Sequence, residues 1–497
     1  MAKVYGGSIV TDILIKKKNE VYLSLRCEPH IKYELSEYFT FEVPEAKYLK
    51  RQTRYKGWDG KVRLFSPGTG EIYCGLYDYV TEFASSRGYT FKTEENEWYG
   101  FPKEPNEYIT PEAIVGWVKN LGIPFKVRDY QYRAIYEALK HNRKLLLSPT
   151  SSGKSLMIYC IVRYHVAANN KVLIVVPTTS LVEQLSKDFE DYGWDSHNNI
   201  HKIYAGYEKL TDKPVVITTW QSVYKQPKTF FDSFDVVIGD EAHLFKAKSL
   251  TSIMTKLRDC KYRIGFTGTL DGTQTNRLVL EGLFGICTQV TRTKDLMTKG
   301  QIADLKIRVL LLKHQWQTFD TYQDEMEYLV TNEARNNYIM KLVRDLSGNT
   351  LVLFNYVEKH GGPLFDLINS NIEGRKVFFI HGGVEVDERE EIRALTEKEN
   401  NAIIVASYGT FSTGINIKNL HNVVFASPSK SRIRNLQSIG RVLRKGENKS
   451  KAVLYDIADD ISRSGRRNYT LNHLIERIKV YKQEKFSYEI IDVKLRD

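Results

Sequence analysis

Ser148-Pro149-Thr150-Ser151-Ser152-Gly153-Lys154-Ser155 is the stretch whose reading decides the fold. Leu145-Leu146-Leu147 precedes it and Leu156-Met157-Ile158-Tyr159 follows it, a pattern of strand, tight loop and helix. Such a loop runs from Pro149 through Thr150, Ser151 and Ser152 into Gly153, and its backbone N–H groups, which Pro149 itself lacks, can wrap phosphate oxygens at the start of a helix. Lys154 would then reach the β- and γ-phosphates of a nucleotide, and the Ser155 hydroxyl would hold Mg²⁺. Ser148 stands where the general phosphate-loop pattern has its first glycine. A polar strand-to-helix turn without a ligand is the competing reading of the eight residues alone.

The chain of 497 residues is too long for one core and predicts about two to four domains. Its 42% hydrophobic and 27% charged residues suit a water-exposed globular protein. No apolar run approaches a membrane span, and Met1-Ala2-Lys3-Val4-Tyr5-Gly6-Gly7 lacks the apolar core of a signal peptide. The five scattered cysteines, Cys27, Cys74, Cys160, Cys260 and Cys287, have neither metal-ligand spacing nor an even count for disulfides. A reducing, cytoplasmic setting without membrane partners is therefore expected. The net charge of +12 and pI of 9.1 favour a polyanionic partner.

Residues 1–95 read as a small α+β unit. Val21–Arg26 alternates like a strand, Ile31–Phe39 and Gly75–Arg87 read as helices, and Lys61–Phe65 reads as another strand. Between them, Lys47–Arg63 carries Lys50, Arg51, Arg54, Lys56, Lys61 and Arg63 against Asp59, with Tyr48, Tyr55 and Trp58 interleaved. Cations offer phosphate contacts and aromatic rings offer stacking. A solvated basic hairpin with inward-packed rings is the alternative.

Residues 96–285 alternate strand and helix, as a parallel α/β domain does. Short apolar runs at Leu145–Leu147, Val172–Val176, Val215–Thr218, Val236–Gly239 and Ile264–Phe266 suit strands buried on both faces. Ligands bind such sheets beyond the carboxyl ends of the strands, and polar clusters stand there. Asp240-Glu241-Ala242-His243 follows Val236–Gly239: Asp240 is placed to hold Mg²⁺ and Glu241 to polarise an attacking water. Thr178-Thr179, Thr218-Thr219-Trp220-Gln221 and Thr267-Gly268-Thr269 end other strands. Small hydroxyls there suit phosphodiester contacts, and equally suit helix capping. Arg128-Asp129-Tyr130-Gln131 precedes a helix, and an amide side chain can read the edge of adenine.

Residues 286–497 repeat the alternation without a second phosphate loop. Strands are expected at Leu351–Phe354, Val377–Ile380, Ile403–Ala406, Val423–Ala426 and Val453–Ile457, with a turn at Gly361-Gly362-Pro363 and a basic helical tail from about 461. Ser407–Asn416, which includes Thr410, reads as a polar loop punctuated by glycine. Gln437-Ser438-Ile439-Gly440-Arg441-Val442-Leu443-Arg444 sets two arginines three apart on nearly one helical face. Such arginines complete the site of many NTPases; two surface arginines on a basic helix is the alternative.

The order of these motifs, from Arg128–Gln131 through Ser148–Ser155, Pro177–Thr179, Thr218–Gln221, Asp240–His243 and Thr267–Thr269 to Ser407–Asn416 and Gln437–Arg444, resembles that of the superfamily 2 helicases. The resemblance extends over the whole chain to the recombination helicases of T-even phages; XPB-like and RecG-type DNA motors share the layout. It implies two tandem RecA-like parallel-sheet domains, with ATP between them, behind a small N-terminal α+β DNA-binding domain. By position, Gln131 would recognise adenine with Arg128 nearby, and Gly153, Lys154 and Ser155 would bind phosphates and metal. Thr267 and Thr269, with His243, would couple the ATP state to closure. Gly414 and Asn416 would approach the nucleotide, and Gln437, Arg441 and Arg444 would complete the site. Thr178, Thr179, Thr219, Gln221 and Thr410 would line the nucleic-acid path. Asn416 departs from the aspartate common at that position, which puts a carboxylate role there in doubt. The implied substrates are branched or double-stranded DNA and RNA–DNA hybrids, in recombination, repair and fork rescue. A double-strand translocase or RNA helicase without branch preference shares every motif. A binding module with a silent ATPase core would instead show damage, yet Lys154, Asp240, Glu241 and Arg444 are all present.

Overall fold

The computed structural model of the chain describes residues 4–5, 8–9, 11–43, 46, 58–93, 108–204, 206, 208–270, 272–413, 417, 419–427, 429, 431–443, 450–462 and 467–495. These form two compact units, Met1–Ser148 with Gly153–Val290, and Pro149–Ser152 with Thr291–Asp497.

In the first unit, seven strands lie in the order Ile200–Ile203, Val215–Thr219, Val172–Val176, Val236–Gly239, Tyr262–Thr267, Arg143–Leu147, Cys287–Gln289. Each neighbouring pair is parallel. Val172–Val176 and Val236–Gly239 are buried at every position, which explains why they read as unbroken apolar runs rather than alternating ones. Parallel order puts every carboxyl end on one edge, and the polar clusters gather there.

The N-terminal domain is a five-stranded sheet ordered Phe65–Ser66, Glu71–Tyr73, Tyr22–Cys27, Ile13–Lys17, Phe91–Thr93. Helices Pro29–Tyr38 and Tyr77–Arg87 give Ile31, Leu35, Val80 and Phe83 to its core. The single strand expected over Lys61–Phe65 is broken at Leu64. Lys61–Arg63 pairs with Thr40–Glu42 in a separate ribbon, whereas Phe65–Ser66 pairs with Glu71–Tyr73. Leu64 is buried at the break, so the chain changes partner where an apolar side chain turns inward.

This domain is seated on the first large sheet by contacts that need particular residues. The Glu20 carboxylate accepts from Arg143 Nη2 at 2.5 Å, and the Arg143 side chain has no solvent exposure. Tyr79 donates to Glu281 Oε2 at 2.6 Å, while the other Glu281 oxygen accepts from Arg277 Nε and Cys287 N, each at 3.0 Å. Leu278, on the helix Gln274–Phe284, enters the N-terminal core. Backbones touch at Gly75, where a Cβ would stand 2.1 Å from the Glu281 carbonyl oxygen.

In the second unit, seven strands lie in the order Val377–Ile380, Ile403–Ser407, Thr350–Phe354, Asn422–Phe425, Lys451–Asp460, Asp304–Lys313, Ser487–Lys494. Again each neighbouring pair is parallel. Three sequence expectations are corrected here. The tail is not helical throughout: helix Tyr469–Gln483 leads into Ser487–Lys494, which lies beside Asp304–Lys313 with Lys306 opposite Ser487. Gly361-Gly362-Pro363 is no turn but the middle of a continuous helical stretch, Val357–Gly361 then Gly362–Asn371. Pro363 sits where the π-helical turn Val357–Gly361 gives way to helix Gly362–Asn371, within the first turn of the latter. Gly361 is required by contact, since a Cβ would lie 2.4 Å from the Phe354 ring. The polar stretch from Ser407 likewise forms a short helix, Tyr408–Thr413, rather than loop.

Replacing Glu20 by alanine leaves the Arg143 guanidinium buried and uncompensated. Loss of one partner of a buried ion pair costs about 3–5 kcal/mol, so Glu20→Ala should lower the urea midpoint of the first unit markedly, as read by tyrosine and tryptophan fluorescence. An unchanged midpoint would show that the pair contributes nothing to the seating.

Candidate active site

The strand Arg143–Leu147 runs into Ser148, whose N–H donates to the Thr267 carbonyl at 2.8 Å. The loop then closes on itself, with Ser152 Oγ donating to the Pro149 carbonyl at 2.6 Å. Ser151 and Gly153 both take positive φ, +69° and +81°. Helix Lys154–Ala167 starts immediately afterwards, and the first N–H groups of a helix have no partner within it and suit an anion.

Lys154 points at the end of strand Val236–Gly239, which lies two places from Arg143–Leu147 in the sheet, beyond Tyr262–Thr267. Its Nζ lies 2.9 Å from Glu241 Oε1 and 3.8 Å from Asp240 Oδ1. The Asp240 carboxylate also accepts from the Glu241 N–H at 2.9 Å, and Glu241 itself sits at φ +50°. A non-glycine residue in that region is held there by its surroundings, a pattern that concentrates at functional sites. Both carboxylates are mostly enclosed. Burial pushes the Asp240 carboxyl above its ordinary range, the Lys154 ammonium opposing it. For Glu241 burial acts in the same direction but is outweighed by Lys154 and His243, which hold it well below the usual range. Glu241 is thus a carboxylate at neutral pH, able to accept a proton or orient a water.

A polar chain leads away from Glu241. His243 Nδ1 lies 3.4 Å from Glu241 Oε2 and 3.0 Å from Thr267 Oγ1, and the Thr267 hydroxyl donates to the Thr269 carbonyl at 3.0 Å. These residues belong to two adjacent strand ends, which is why residues 24 apart in the chain meet.

Gln131 lies on the first turn of helix Asp129–Lys140. Its amide oxygen accepts from the Arg128 N–H at 2.9 Å. A Cβ on Gly153 would stand 2.4 Å from Gln131 Nε2, so the amide packs directly on the loop. Arg128 donates to the Tyr130 hydroxyl at 2.9 Å. Tyr192 joins the candidate site without belonging to any motif: its hydroxyl is 3.0 Å from Ser155 Oγ, and burial pushes its phenol up to about 12. No spacing rule links positions 155 and 192; the helix Thr179–Asp191 carries Tyr192 there.

The residues fit a nucleotide and a divalent cation. A hydroxyl at Ser155 and a carboxylate at Asp240 are the hard oxygen donors that Mg²⁺ takes, with phosphates and water completing its shell. Among the described residues no cluster of three or more His, Cys, Asp or Glu is arranged to hold a metal, and this mode of binding requires none.

The other expected positions are placed as follows. Thr178 caps helix Thr179–Asp191 through Leu181 N. Thr219 Oγ1 is 2.9 Å from Ser222 Oγ, and Gln221 is exposed. Trp58 donates to the Lys61 carbonyl at 3.0 Å, and Arg63 pairs with Asp59. In the second unit Thr410 Oγ1 is 2.8 Å from Ser407 Oγ, and Gln437 and Arg441 lie one turn apart on helix Arg432–Val442. Lys50, Arg51, Arg54, Lys56, Gly414, Asn416 and Arg444 lie outside the described residues.

A phosphate-type loop facing an Asp-Glu pair on the carboxyl edge of one parallel sheet, followed by a second such sheet, defines a superfamily 2 helicase. Residues 124–272 match the family model of the type III restriction enzyme res subunit, and 334–446 match the helicase conserved C-terminal domain. Residues 12–94 match the N-terminal domain of DNA helicase UvsW. The ATP-dependent DNA helicase uvsW of Enterobacteria phage T4 is 35% identical over 512 residues, 97% of this chain and 100% of the relative. The crystal structure of T4 UvsW superposes with a TM-score of 0.51 at 34% identity, over 98% of this chain and 100% of that one. The DNA 3'-5' translocase XPB2 of Sulfurisphaera tokodaii is 27% identical over 57% of this chain and 61% of its own. The chain belongs to the UvsW family of ATP-dependent DNA helicases. It hydrolyses ATP to unwind DNA, and no helix among its described residues is long and apolar enough to cross a membrane.

Gly153→Ala tests the loop. The added methyl meets Gln131, and the left-handed backbone costs a non-glycine residue about 1–2 kcal/mol. ATP affinity measured by nucleotide fluorescence should fall while the fold persists; wild-type affinity would contradict the close loop–amide packing.

Proposed function

We propose that this helicase remodels branched DNA: replication forks, four-way junctions, D-loops and RNA–DNA hybrids, in recombination, repair and fork rescue. The observation that carries this reading is the seating of the N-terminal domain on the ATPase sheet, through Glu20–Arg143, Glu281 and Gly75. A domain fixed in this way turns movement of the motor sheet into movement of whatever DNA the domain grips. The basic stretch Lys50, Arg51, Arg54, Lys56, Lys61 and Arg63 with Trp58 suits such a grip, phosphate by charge and base step by ring.

In this reading residues 1–95 grip DNA, 96–285 bind ATP and 286–497 form the second motor domain, acting in the cytoplasm. Lys154, with the loop from Pro149 to Ser155, holds phosphates; Ser155 and Asp240 would hold Mg²⁺, which when bound neutralises phosphate charge. Glu241 orients the attacking water, and His243, Thr267 and Thr269 relay the state of Glu241 across the strand ends. Arg128 and Gln131 hold adenine. Gly414, Asn416, Gln437, Arg441 and Arg444 act on ATP turnover from the second domain, and Thr178, Thr179, Thr219, Gln221 and Thr410 touch the DNA backbone. A general double-strand translocase is the second reading, favoured by the similarity to a relative named as a DNA translocase.

ATP hydrolysis measured with single-stranded, duplex, forked and four-way DNA, and with RNA, separates the two. Stimulation should be strongest with forks and junctions, and Lys154→Ala should abolish turnover on every substrate while still binding DNA. Equal stimulation by plain duplex would leave the translocase reading. Neutralising Arg51, Arg54 and Lys56 together should weaken duplex binding and flatten its salt dependence by roughly 0.9 per lost phosphate contact; an unchanged slope would return the stretch to a solvated hairpin.

A further inference from the structure

A cavity of about 500 Å³ opens in the second unit, lined by residues that none of the motifs above includes. It lies between the segments that follow two neighbouring parallel strands, Asp304–Lys313 and Lys451–Asp460, whose last residues stand opposite each other. Trp316, Gln317, Thr318 and Phe319 line it from one side, and Ile461, Arg467, Asn468 and Tyr469 from the other.

The cavity is built on a fixed base. Lys313 Nζ is 2.7 Å from Asp460 Oδ2, and His314 Nε2 is 2.8 Å from Asp459 Oδ1. Arg335 grips the same Asp459 through Nε at 2.8 Å and Nη2 at 3.0 Å, with both side chains fully buried. On the floor the Glu325 carboxylate accepts from Asn468 Nδ2, Tyr469 N and Thr470 N at 2.9, 2.8 and 2.7 Å. Asp324 nearby accepts from the Thr321 N–H and hydroxyl. These carboxylates are engaged by local donors, so their charge is partly spent before any anion approaches.

The rim is different. Trp316 is 51% exposed and Tyr469 40% exposed, and Arg467 beside Tyr469 is exposed as well. Flat π faces with a neighbouring guanidinium match a nucleobase and its phosphodiester, and 500 Å³ is within the range of small-ligand sites. The Arg467 guanidinium in the lining favours an anionic ligand over a neutral peptide. The cavity stands at the carboxyl edge of its sheet, where parallel α/β sheets place ligands.

We propose that this cavity binds an unpaired DNA base, stacked on Trp316 and Tyr469, with its phosphate at Arg467. Bases inside a duplex already stack on one another and offer no free face, so the site selects single strands. It goes beyond the branched-DNA reading by naming the strand state that the second unit holds. A separated strand captured there is kept from re-pairing, which shifts the balance toward the open duplex.

The test uses the full chain with Trp316→Ala, Trp316→Phe and Arg467→Ala, and measures anisotropy of labelled oligo-dT and of a blunt duplex at fixed salt. Trp316→Ala should weaken oligo-dT binding about tenfold, within the strength of one base–aromatic stack. Duplex affinity should stay within about twofold, and ATP hydrolysis without DNA should be unchanged. Trp316→Phe should retain most of the affinity, and Arg467→Ala should lower the salt slope on oligo-dT by about 0.7. Unchanged oligo-dT binding in both Trp316→Ala and Arg467→Ala would overturn the proposal, as would an equal loss on duplex. Loss of dTMP binding with oligo-dT binding intact would overturn it in favour of a free-nucleotide site. Because Arg467 is exposed, its variant decides the matter even where the tryptophan variant folds poorly. Failure here with intact fork stimulation would leave the branched-DNA reading standing.

Discussion

The Lys154 ammonium, held 2.9 Å from Glu241 and 3.8 Å from Asp240, is the interaction on which the first unit's chemistry depends. Two adjacent carboxylates at the end of an apolar strand repel each other, and burial raises the cost of charging either. Lys154 together with His243 keeps Glu241 ionised, whereas burial pushes the Asp240 carboxyl up against the opposing Lys154. The same cation is carried by the phosphate loop, so the loop and the carboxylates cannot be treated as separate sites. An ammonium turned toward phosphate would leave the carboxylate pair to be balanced by another cation, and Asp240 and Ser155 are the oxygen donors suited to it. Charge balance alone would therefore couple a nucleotide bound at this edge to a divalent cation.

The strand that feeds the loop begins at the contact with the N-terminal domain. Arg143, its first residue, is clamped by Glu20, and about 13 Å further along the strand the chain enters Ser148. A buried ion pair of this kind adds little net stability compared with an apolar substitute, yet it fixes geometry, because either partner alone is costly. Gly75 and Gly282 make the same point sterically: each lets one backbone or ring lie against the other domain, at 2.1 Å and 2.9 Å from where a Cβ would be. The seating is specific in charge and in shape.

Both large sheets were legible in the amino-acid sequence because strands buried on two faces leave continuous apolar runs, and because parallel order collects the polar motifs at one edge. What was not legible depends on partners distant in the chain. Ser487–Lys494 alternates weakly and is a strand only because Asp304–Lys313 offers it an edge. Gly361 looked like turn chemistry, whereas the Phe354 ring is what excludes a side chain there. Leu64 interrupts a strand because its neighbours belong to two different sheets. At the candidate site the motifs singled out Lys154, Asp240 and Glu241, which the structure brings together, whereas Tyr192 was not legible, since nothing local ties it to Ser155.

The second unit concentrates its buried ions on one strand, Lys451–Asp460. Asp456 accepts from Arg477 Nε at 2.9 Å and from the Tyr481 hydroxyl at 2.8 Å, and Asp459 takes Arg335 and His314. The basic tail therefore does not offer all of its cations to DNA: Arg477 is 1% exposed and serves the interior. Buried carboxylates at 456 and 459 are an expensive way to hold a strand that apolar residues could hold alone. They specify register, since a one-residue slip would turn each carboxylate away from the partners named above. Register matters most on this strand, because it follows the helix that bears Gln437 and Arg441 and leads directly into the wall of the Trp316 cavity. The ions fix the strand that joins the helix bearing Gln437 and Arg441 to the wall of the Trp316 cavity, at opposite ends of ten residues.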